Sequence, residues 1–478
     1  MKKSSQPARL SYFFGPGYKD VKKTIKLIWE LNAEDAKKYY IQYDEAGLMS
    51  VKGLFNFSRA LSIMIFGSLF SMIISAVIIL VLVLFFLPVY LLFSLVWLID
   101  RIYLVHNKIS VACSHCHSSY RLPIYECECG QRHDDLTPGK YGIWKRECVC
   151  GRKLSTAFFN GRKELKAICP VCLSNGKLVY LNEKETRPIT IPVVGGRSVG
   201  KTAFITAFSK KFIDEIASDK GFTTEFYDRG SEIIYQKFSS SYMSGSTVMT
   251  QKVDSRTNTN AIDFSFFVNH EKLKPSRLFH IYDIAGEIFT NNDEGELPKH
   301  FTYSQGIIFM IDPFSLPEIR NNYQHLLDIG DRTGIGYADV ITILDSFIIK
   351  LKSVTGTGDE EMSKVPLAVV ISKTDSPGLC NYFSKEKLNK FKKQSDDKKM
   401  TDTDAIDILC RQFLRENGAG GFVNSLEMKF KNAKFFSISS IGHSRNKGAY
   451  KPIGVLEPVK WICKCSDRSF YELWYDIE

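Results

Sequence analysis

The chain holds 478 residues, of which 44% are hydrophobic and 24% charged, and it carries a formal net charge of +11. That balance excludes wholesale disorder, and the length exceeds a single compact unit. The positive excess lies before residue 60 and between residues 108 and 185; it fits the cytoplasmic flanks of a membrane segment better than a nucleic-acid surface, since no long basic stripe interleaved with aromatics occurs.

Four regions follow in order: an N-terminal helical segment (residues 1–57), a membrane segment (58–107), a cysteine-rich module (108–185) and a nucleotide-binding domain (186–478). In the first, residues 19–43 have helix-forming composition, with Ile25, Leu27, Ile28 and Leu31 as a short apolar stripe beside lysines. Such a helix lies on a membrane surface or packs on another domain. Residues 61–99 contain no charge, nearly twice the run of about 20 apolar residues that one bilayer span needs. The run starts too far into the chain, and is too long, for a signal peptide. Basic residues flank both ends, Lys52 and Arg59 before it and Arg101 and Lys108 after it. With positive charge kept inside, both flanks are cytoplasmic and the segment is a helical hairpin whose second arm Pro88 opens. One long, tilted or Pro-kinked helix, with the N-terminus outside, is the alternative. Either way, the cysteine module and the nucleotide domain are expected on the cytoplasmic face of a membrane.

Four cysteine pairs come next: Cys113 with Cys116, Cys127 with Cys129, Cys148 with Cys150, and Cys169 with Cys172. Close pairs in a large chain point to metal in a reducing compartment and not to disulfides. Two cysteines at a tight turn aim at one tetrahedral ion, and two such knuckles complete a four-thiolate site. Eight ligands make two Zn2+ sites, structural because no ligand place stays open. Gly130 and Gly151 follow the second and third knuckles, where the turn uses a positive φ. The steps from Cys127 to Cys148 and from Cys148 to Cys169 are equal in length, which suggests tandem zinc-ribbon-like hairpins. Sequential and cross-braced pairing of the knuckles are both open. His115, His117 and His133 are read as surface residues, because cysteines fill every ligand place. Cys380, Cys410 and the pair Cys463 and Cys465 are read as ordinary thiols.

The apolar run of residues 189–194 (ITIPVV) reads as a strand, GGRSVGKT follows, and AFITAFSKKFIDEIA reads as a helix. Gly195-x-x-x-x-Gly200-Lys201-Thr202 is therefore a phosphate-binding loop in the context it requires. Its binding set is Gly195, Ser198, Val199, Gly200, Lys201, Thr202 and Ala203. Backbone N–H groups wrap the phosphates at the positive end of the helix, Lys201 neutralises the β and γ oxygens, and the Thr202 hydroxyl ligates Mg2+. Residues 278–284 (LFHIYDI) form a second strand ending near Asp283, whose carboxylate belongs in the Mg2+ shell. Gly286 offers a backbone N–H to the γ-phosphate, and Glu287 follows it.

Residues 306–312 (GIIFMID) and 367–372 (LAVVIS) are further buried strands, and the second runs into Ser372, Lys373, Thr374 and Asp375. A carboxylate at Asp375 accepts both the N1–H and the N2 amino hydrogens of guanine, a donor pair that adenine lacks, while the Lys373 stem covers the base. Residues 434–438 (KFFSI) form a strand ending in Ser439 and Ser440, where a backbone N–H meets the guanine oxygen. Thr247 and Thr250, with Thr257 and Thr259 as alternatives, are candidates to close over Mg2+. Residues 385–407 read as a charged surface insertion.

The order GGRSVGKT, DIAGE, SKTD, SISS resembles the TRAFAC class of P-loop GTPases, and with the cysteine module ahead of it, the bacterial double-GTPase group within that class. The likeness covers residues 188–462. It implies an α/β fold, a doubly wound and mostly parallel sheet with the nucleotide at the strand C-termini, and Mg2+-dependent hydrolysis of GTP. It also implies a protein partner, a companion GTPase, in a bacterial conflict or signalling system.

Three positions depart from the pattern. Ser372 stands where Asn or Thr is usual. Glu287 replaces the glutamine that orients water, and its charge near the γ-phosphate implies slow turnover or another catalytic residue. Arg197 replaces a small residue of the loop; it supplies a charge in cis, blocks a partner's arginine finger, or points to solvent. The competing readings are a P-loop ATPase without guanine selectivity and a GTP-regulated zinc-ribbon module that binds nucleic acid, the latter partner not being expected.

Overall fold

The computed structural model describes residues 6–475 except 48–49, 114–115, 117, 182–185, 244–260, 290–296, 298, 328–333, 357, 396–398 and 444–449. The chain divides into two units, Met1–Lys108 with Leu122–Lys184, and Ile109–Arg121 with Glu185–Glu478.

In the first unit, helix α1 (Pro16–Ala46) has proline at its first position, where the missing N–H has no helical partner to lose. Helix α2 runs unbroken over Val51–His106, 56 residues or about 84 Å. Of the two arrangements considered for the apolar run, the single helix is the one present, and no hairpin turns at Pro88. That proline lies inside the helix between Leu87 and Val89. Neither neighbour forms turns, and a lone proline without Gly, Asn or Asp beside it does not reverse a chain. The reversal comes earlier, between α1 and α2, so α1 runs antiparallel along α2. Phe14 meets Tyr90, Tyr18 stacks on Phe86, and Tyr43 meets Phe57. Between them Trp29 Nε1 donates to Ser75 Oγ at 3.2 Å and Asn32 Nδ2 donates to Ser68 Oγ at 3.3 Å. Only 6% of the most apolar window of α2 is buried, which is not how the core helix of a globular protein sits.

The C-terminal end of α2 is fixed to the cysteine-rich part of the same unit. Asp100 and Arg162 are both fully buried and pair at 3.0 Å. The second Asp100 oxygen accepts from the Phe158 N–H at 2.8 Å, and Arg162 also donates to the carbonyls of Thr156 and Leu136. A buried ion pair needs such additional hydrogen bonds to offset desolvation. Around it stand a four-stranded antiparallel sheet (Arg132–His133, Ile124–Glu126, Lys166–Ile168 and Tyr180–Leu181, in spatial order) and a separate hairpin of Lys145–Glu147 with Lys153–Ser155.

The second unit is built on a seven-stranded sheet. Its strands are β1 (Arg187–Gly195), β2 (Thr223–Phe226), β3 (Ala261–His270), β4 (Leu273–Ile284), β5 (Ile307–Ile311), β6 (Leu367–Ile371) and β7 (Ala433–Ser437). Their spatial order is β2-β3-β4-β1-β5-β6-β7. From β4 to β7 all neighbours are parallel, and β2 and β3 join as antiparallel edge strands. Strands β5 and β6 are apolar throughout and β1 is buried after its first residue, because both faces are covered, whereas β7 at the sheet edge is partly exposed.

Side chains alternate between two cores. Val193, Ile281, Ile308 and Met310 pack with helices α3 (Lys201–Lys211) and α4 (Arg229–Met243). Val194, Tyr282, Phe309 and Ile311 pack with α5 (Val340–Thr355) on the opposite face. This is a doubly wound α/β domain. The stretch read as a charged surface insertion is helical: α6 (Lys385–Gln394), in which only Leu388 is buried, and the start of α7 (Asp402–Glu416). Helix α7 buries Ala405 within that stretch and Leu409, Phe413 and Leu414 beyond it, its apolar residues recurring at helical spacing. Cys410 and Cys463 pack in the two cores.

Candidate nucleotide site and cysteine cluster

Strand register brings the separated motifs to one edge of the sheet. Asp283 of β4 lies beside Val193 of β1, Met310 of β5 beside Gly195, Ile311 beside Ile371 of β6, and Ile371 beside Ser437 of β7. The residues that follow these strands therefore share the C-terminal edge. The loop after β1 leads straight into α3, whose first residue is Lys201. Lys201 is buried, and its Nζ donates to the carbonyls of Gly195 at 3.1 Å and Gly196 at 2.8 Å. Ser198 has a positive φ of 61°, Val199 is buried, and Ala203 follows on α3. The Thr202 hydroxyl donates directly to Asp283 Oδ2, both residues being buried. Those two oxygens are of the kind that would hold a Mg2+ beside bound phosphates.

Gly286 touches the same loop. A Cβ there would stand 2.5 Å from the Gly196 carbonyl carbon and 2.6 Å from the Arg197 nitrogen, so only glycine fits. Glu287 lies in the one-turn helix Gly286–Phe289, but its side chain is outside the described residues. Thr247, Thr250, Thr257 and Thr259 are outside them entirely.

On the base side, Ser372 donates from both its N–H (2.9 Å) and its hydroxyl (3.0 Å) to the carbonyl of Ile311. Its hydroxyl thus ties the loop after β6 to β5. The Thr374 N–H donates to the Ile438 carbonyl at 3.2 Å, joining that loop to the one after β7. Asp375 is half-buried in the loop. Ser439 Oγ accepts from the Gly442 N–H at 2.7 Å, and the Ser440 carbonyl accepts from the Tyr242 hydroxyl at the end of α4.

Two participants escaped the sequence reading. Tyr242 gave no signal before the fold was known. Asp312 ends the apolar run GIIFMID, and that position was the available signal; it is fully buried and accepts from Lys373 Nζ at 2.6 Å.

In the first unit the second and third knuckles meet, which is neither the sequential nor the cross-braced order. Cys127, Cys129, Cys148 and Cys150 place their sulfurs within 4.8 Å of one another. The separations Cys127–Cys150 and Cys129–Cys148 are both 3.7 Å. A tetrahedral ion with Zn–S bonds of about 2.3 Å sets its sulfurs roughly 3.8 Å apart, so the donor set fits zinc. The knuckles are built alike: Cys127 and Cys148 donate their N–H groups to Gln131 and Arg152, and accept from Gly130 and Gly151. Both glycines have positive φ, 80° and 88°. Cys169 caps the short helix Pro170–Ser174, accepting on Sγ from the Cys172 N–H at 3.4 Å. In the second unit, Cys113 donates its N–H to Ser118 at the turn leading towards Cys116.

His133 is not on the surface. It is fully buried, because the two-residue strand Arg132–His133 turns Arg132 out and His133 in. Neither ring nitrogen has a hydrogen-bond partner. Burial, and then the neighbouring Arg146 guanidinium, push its imidazole down to about 4. His115 and His117 fall outside the described residues.

A family model described as Double-GTPase 2 matches residues 189–432, just over half of the chain. Among solved structures, the Arl6 (BBS3) small GTPase of Trypanosoma brucei, bound to the nucleotide analogue GppNp, is 13% identical over 59% of this chain and 99% of its own, with a TM-score of 0.27. The signal recognition particle receptor SRb-GTP/SRX complex of Chaetomium thermophilum is 13% identical over 58% and 97%, also at 0.27. No curated protein matches.

Proposed function

Because the chain belongs to the Double-GTPase 2 family, and is thereby a TRAFAC-class P-loop enzyme that hydrolyses GTP, we propose that it works as a Mg2+-dependent switch anchored in a membrane. The observation that carries the reading is the convergence of Lys201, Thr202, Asp283, Gly286 and the Ser372–Asp375 and Ser439–Ser440 loops at one sheet edge, ordered by register. Lys201, seated on the loop carbonyls, exchanges them for the β and γ phosphate oxygens. Thr202 and Asp283 would hold Mg2+, which would supply further neutralisation of the phosphates. Gly286, packed on the loop, presents its N–H to the γ-phosphate, so that hydrolysis releases the segment after β4. Asp375 and Lys373 select guanine. Glu287 stands where Ras-like members place the glutamine that orients water, and its charge argues for slow intrinsic turnover.

Eight cysteines, the inner four gathered in one unit, suffice for two structural Zn2+. The long apolar α2 anchors the chain, with the zinc module and enzyme on the cytoplasmic face, and the partner is a protein, by family analogy a companion GTPase. Asp283→Ala should abolish Mg2+-stimulated GTP turnover while the full-length chain still resists alkaline extraction from membranes. Turnover retained in that variant removes the role given to Asp283, and extraction of the wild type by alkali removes the anchor. Metal analysis should return two zinc ions per chain; none would end the zinc assignment.

A further inference from the structure

We propose that Asp312 is a positioning residue for guanine recognition, acting through Lys373 and tying the base-reading loop to the phosphate loop. The inference rests on the reading that the Ser372–Asp375 segment contacts the base. Asp312 follows β5 and is fully buried. A buried carboxylate is tolerated only when its charge and lone pairs are met. Here Oδ1 accepts from the Phe314 N–H at 3.0 Å, and Oδ2 accepts from the Gly336 N–H at 3.1 Å and from Lys373 Nζ at 2.6 Å. Lys373 donates again to the Gly334 carbonyl at 2.8 Å.

Each of these partners leads to one side of the site. Lys373 stands two residues before Asp375, and its φ of 53° is a left-handed conformation that costs a residue with a Cβ. The ion pair and the Gly334 contact compensate that cost and fix the lysine stem as a wall. On the other side, a Cβ added to Gly336 would stand 2.6 Å from the Arg197 carbonyl oxygen, so this loop lies directly on the phosphate loop. One carboxylate thus fixes the distance between the group that covers the base and the loop that cradles the phosphates. Without it Lys373 regains its rotamers, and the loss falls on ground-state affinity for the guanine nucleotide, with the chemical step little changed.

A double-mutant cycle on the full-length, detergent-solubilised protein tests this, using Asp312→Asn and Lys373→Met with GTP affinity, KM and kcat as readouts. Each single variant should raise KM about tenfold with kcat held within about twofold, and the double variant should match Lys373→Met, since two residues acting as one unit are not additive. Additive losses, or a fall in kcat at unchanged KM, overturn the proposal. If Asp312→Asn does not fold, the double variant leaves no unpaired lysine charge against the site and is compared with Lys373→Met alone: equal affinity supports the proposal, and a further loss overturns it. Failure of the underlying reading has a different signature, because Asp375→Ala would then keep its preference for GTP over ATP whatever the cycle gives.

Discussion

At the scale of single residues, His133 shows how burial alters a side chain's chemistry. Its imidazole is held neutral in the folded chain down to about pH 4, by desolvation first and Arg146 second, whereas an unfolded histidine titrates near 6.5. Between those values the unfolded state binds the extra proton, so stability is complete above about pH 6.5 and declines as pH falls towards 4. His133→Phe removes both that proton and two unpaired ring nitrogens. The variant should match or exceed the wild-type Tm at pH 7.5, and its advantage should widen on acidification to about pH 5. An advantage that stays constant or shrinks with acid would show that His133 is charged or satisfied in the fold.

Single residues also mark what sequence could disclose. Gly195, Lys201, Thr202, Asp283 and Gly286 stood out as candidates because they sit at strand ends within recognisable motifs. Asp312 and Tyr242 did not, since their partners lie 61 and 198 positions away. The inner cysteine pairing was equally illegible, because both knuckles use the same local turn and spacing carries no information on which one faces which.

At the scale of elements, α1 and α2 pose a physical conflict with a bilayer. Over the stretch that runs beside α2, helix α1 carries the exposed charges Lys19, Asp20, Lys22, Lys23, Lys26, Glu30, Glu34, Asp35, Lys37 and Lys38. Each such charge costs on the order of 3 kcal/mol in the hydrocarbon centre, and a span of about 20 residues taken from α2 would bring several of them with it. A span inserted from that part of α2, as the proposed anchoring needs, would therefore require α1 to leave it.

A cross-link can hold the antiparallel pair. Asn32 lies against Gly67, whose added Cβ would be 3.0 Å from the Asn32 side-chain carbon, so Asn32→Cys with Gly67→Cys has the proximity a disulfide needs. The oxidised double variant should be extracted from membranes by alkali, and reduction should restore resistance. Equal resistance in both forms would mean that α1 stays on α2 in the membrane. The sequence located both helices and not their pairing, because an apolar surface does not name its cover; the local weakness of Pro88 as a turn explains why the reversal falls between α1 and α2.

At the scale of the whole molecule, one chain carries a GTPase domain, a cysteine cluster whose geometry fits zinc, and a long, poorly buried apolar helix. The α/β fold was legible as a whole, since the parallel strands β1, β4, β5 and β6 each contain an apolar stretch, and the recognisable motifs follow β1, β4, β6 and β7. The antiparallel edge strand β2 with α4 behind it was not, being short, half-exposed and without chemistry of its own. The central claim is that four separated segments form one guanine-selective site. Competition of GTP and ATP for the purified full-length protein, wild type and Asp375→Ala, addresses it most directly. The account predicts that ATP fails to displace GTP at concentrations about a hundredfold higher, and that Asp375→Ala erases this preference. Equal displacement by ATP in the wild type, or an unchanged preference in the variant, would contradict it.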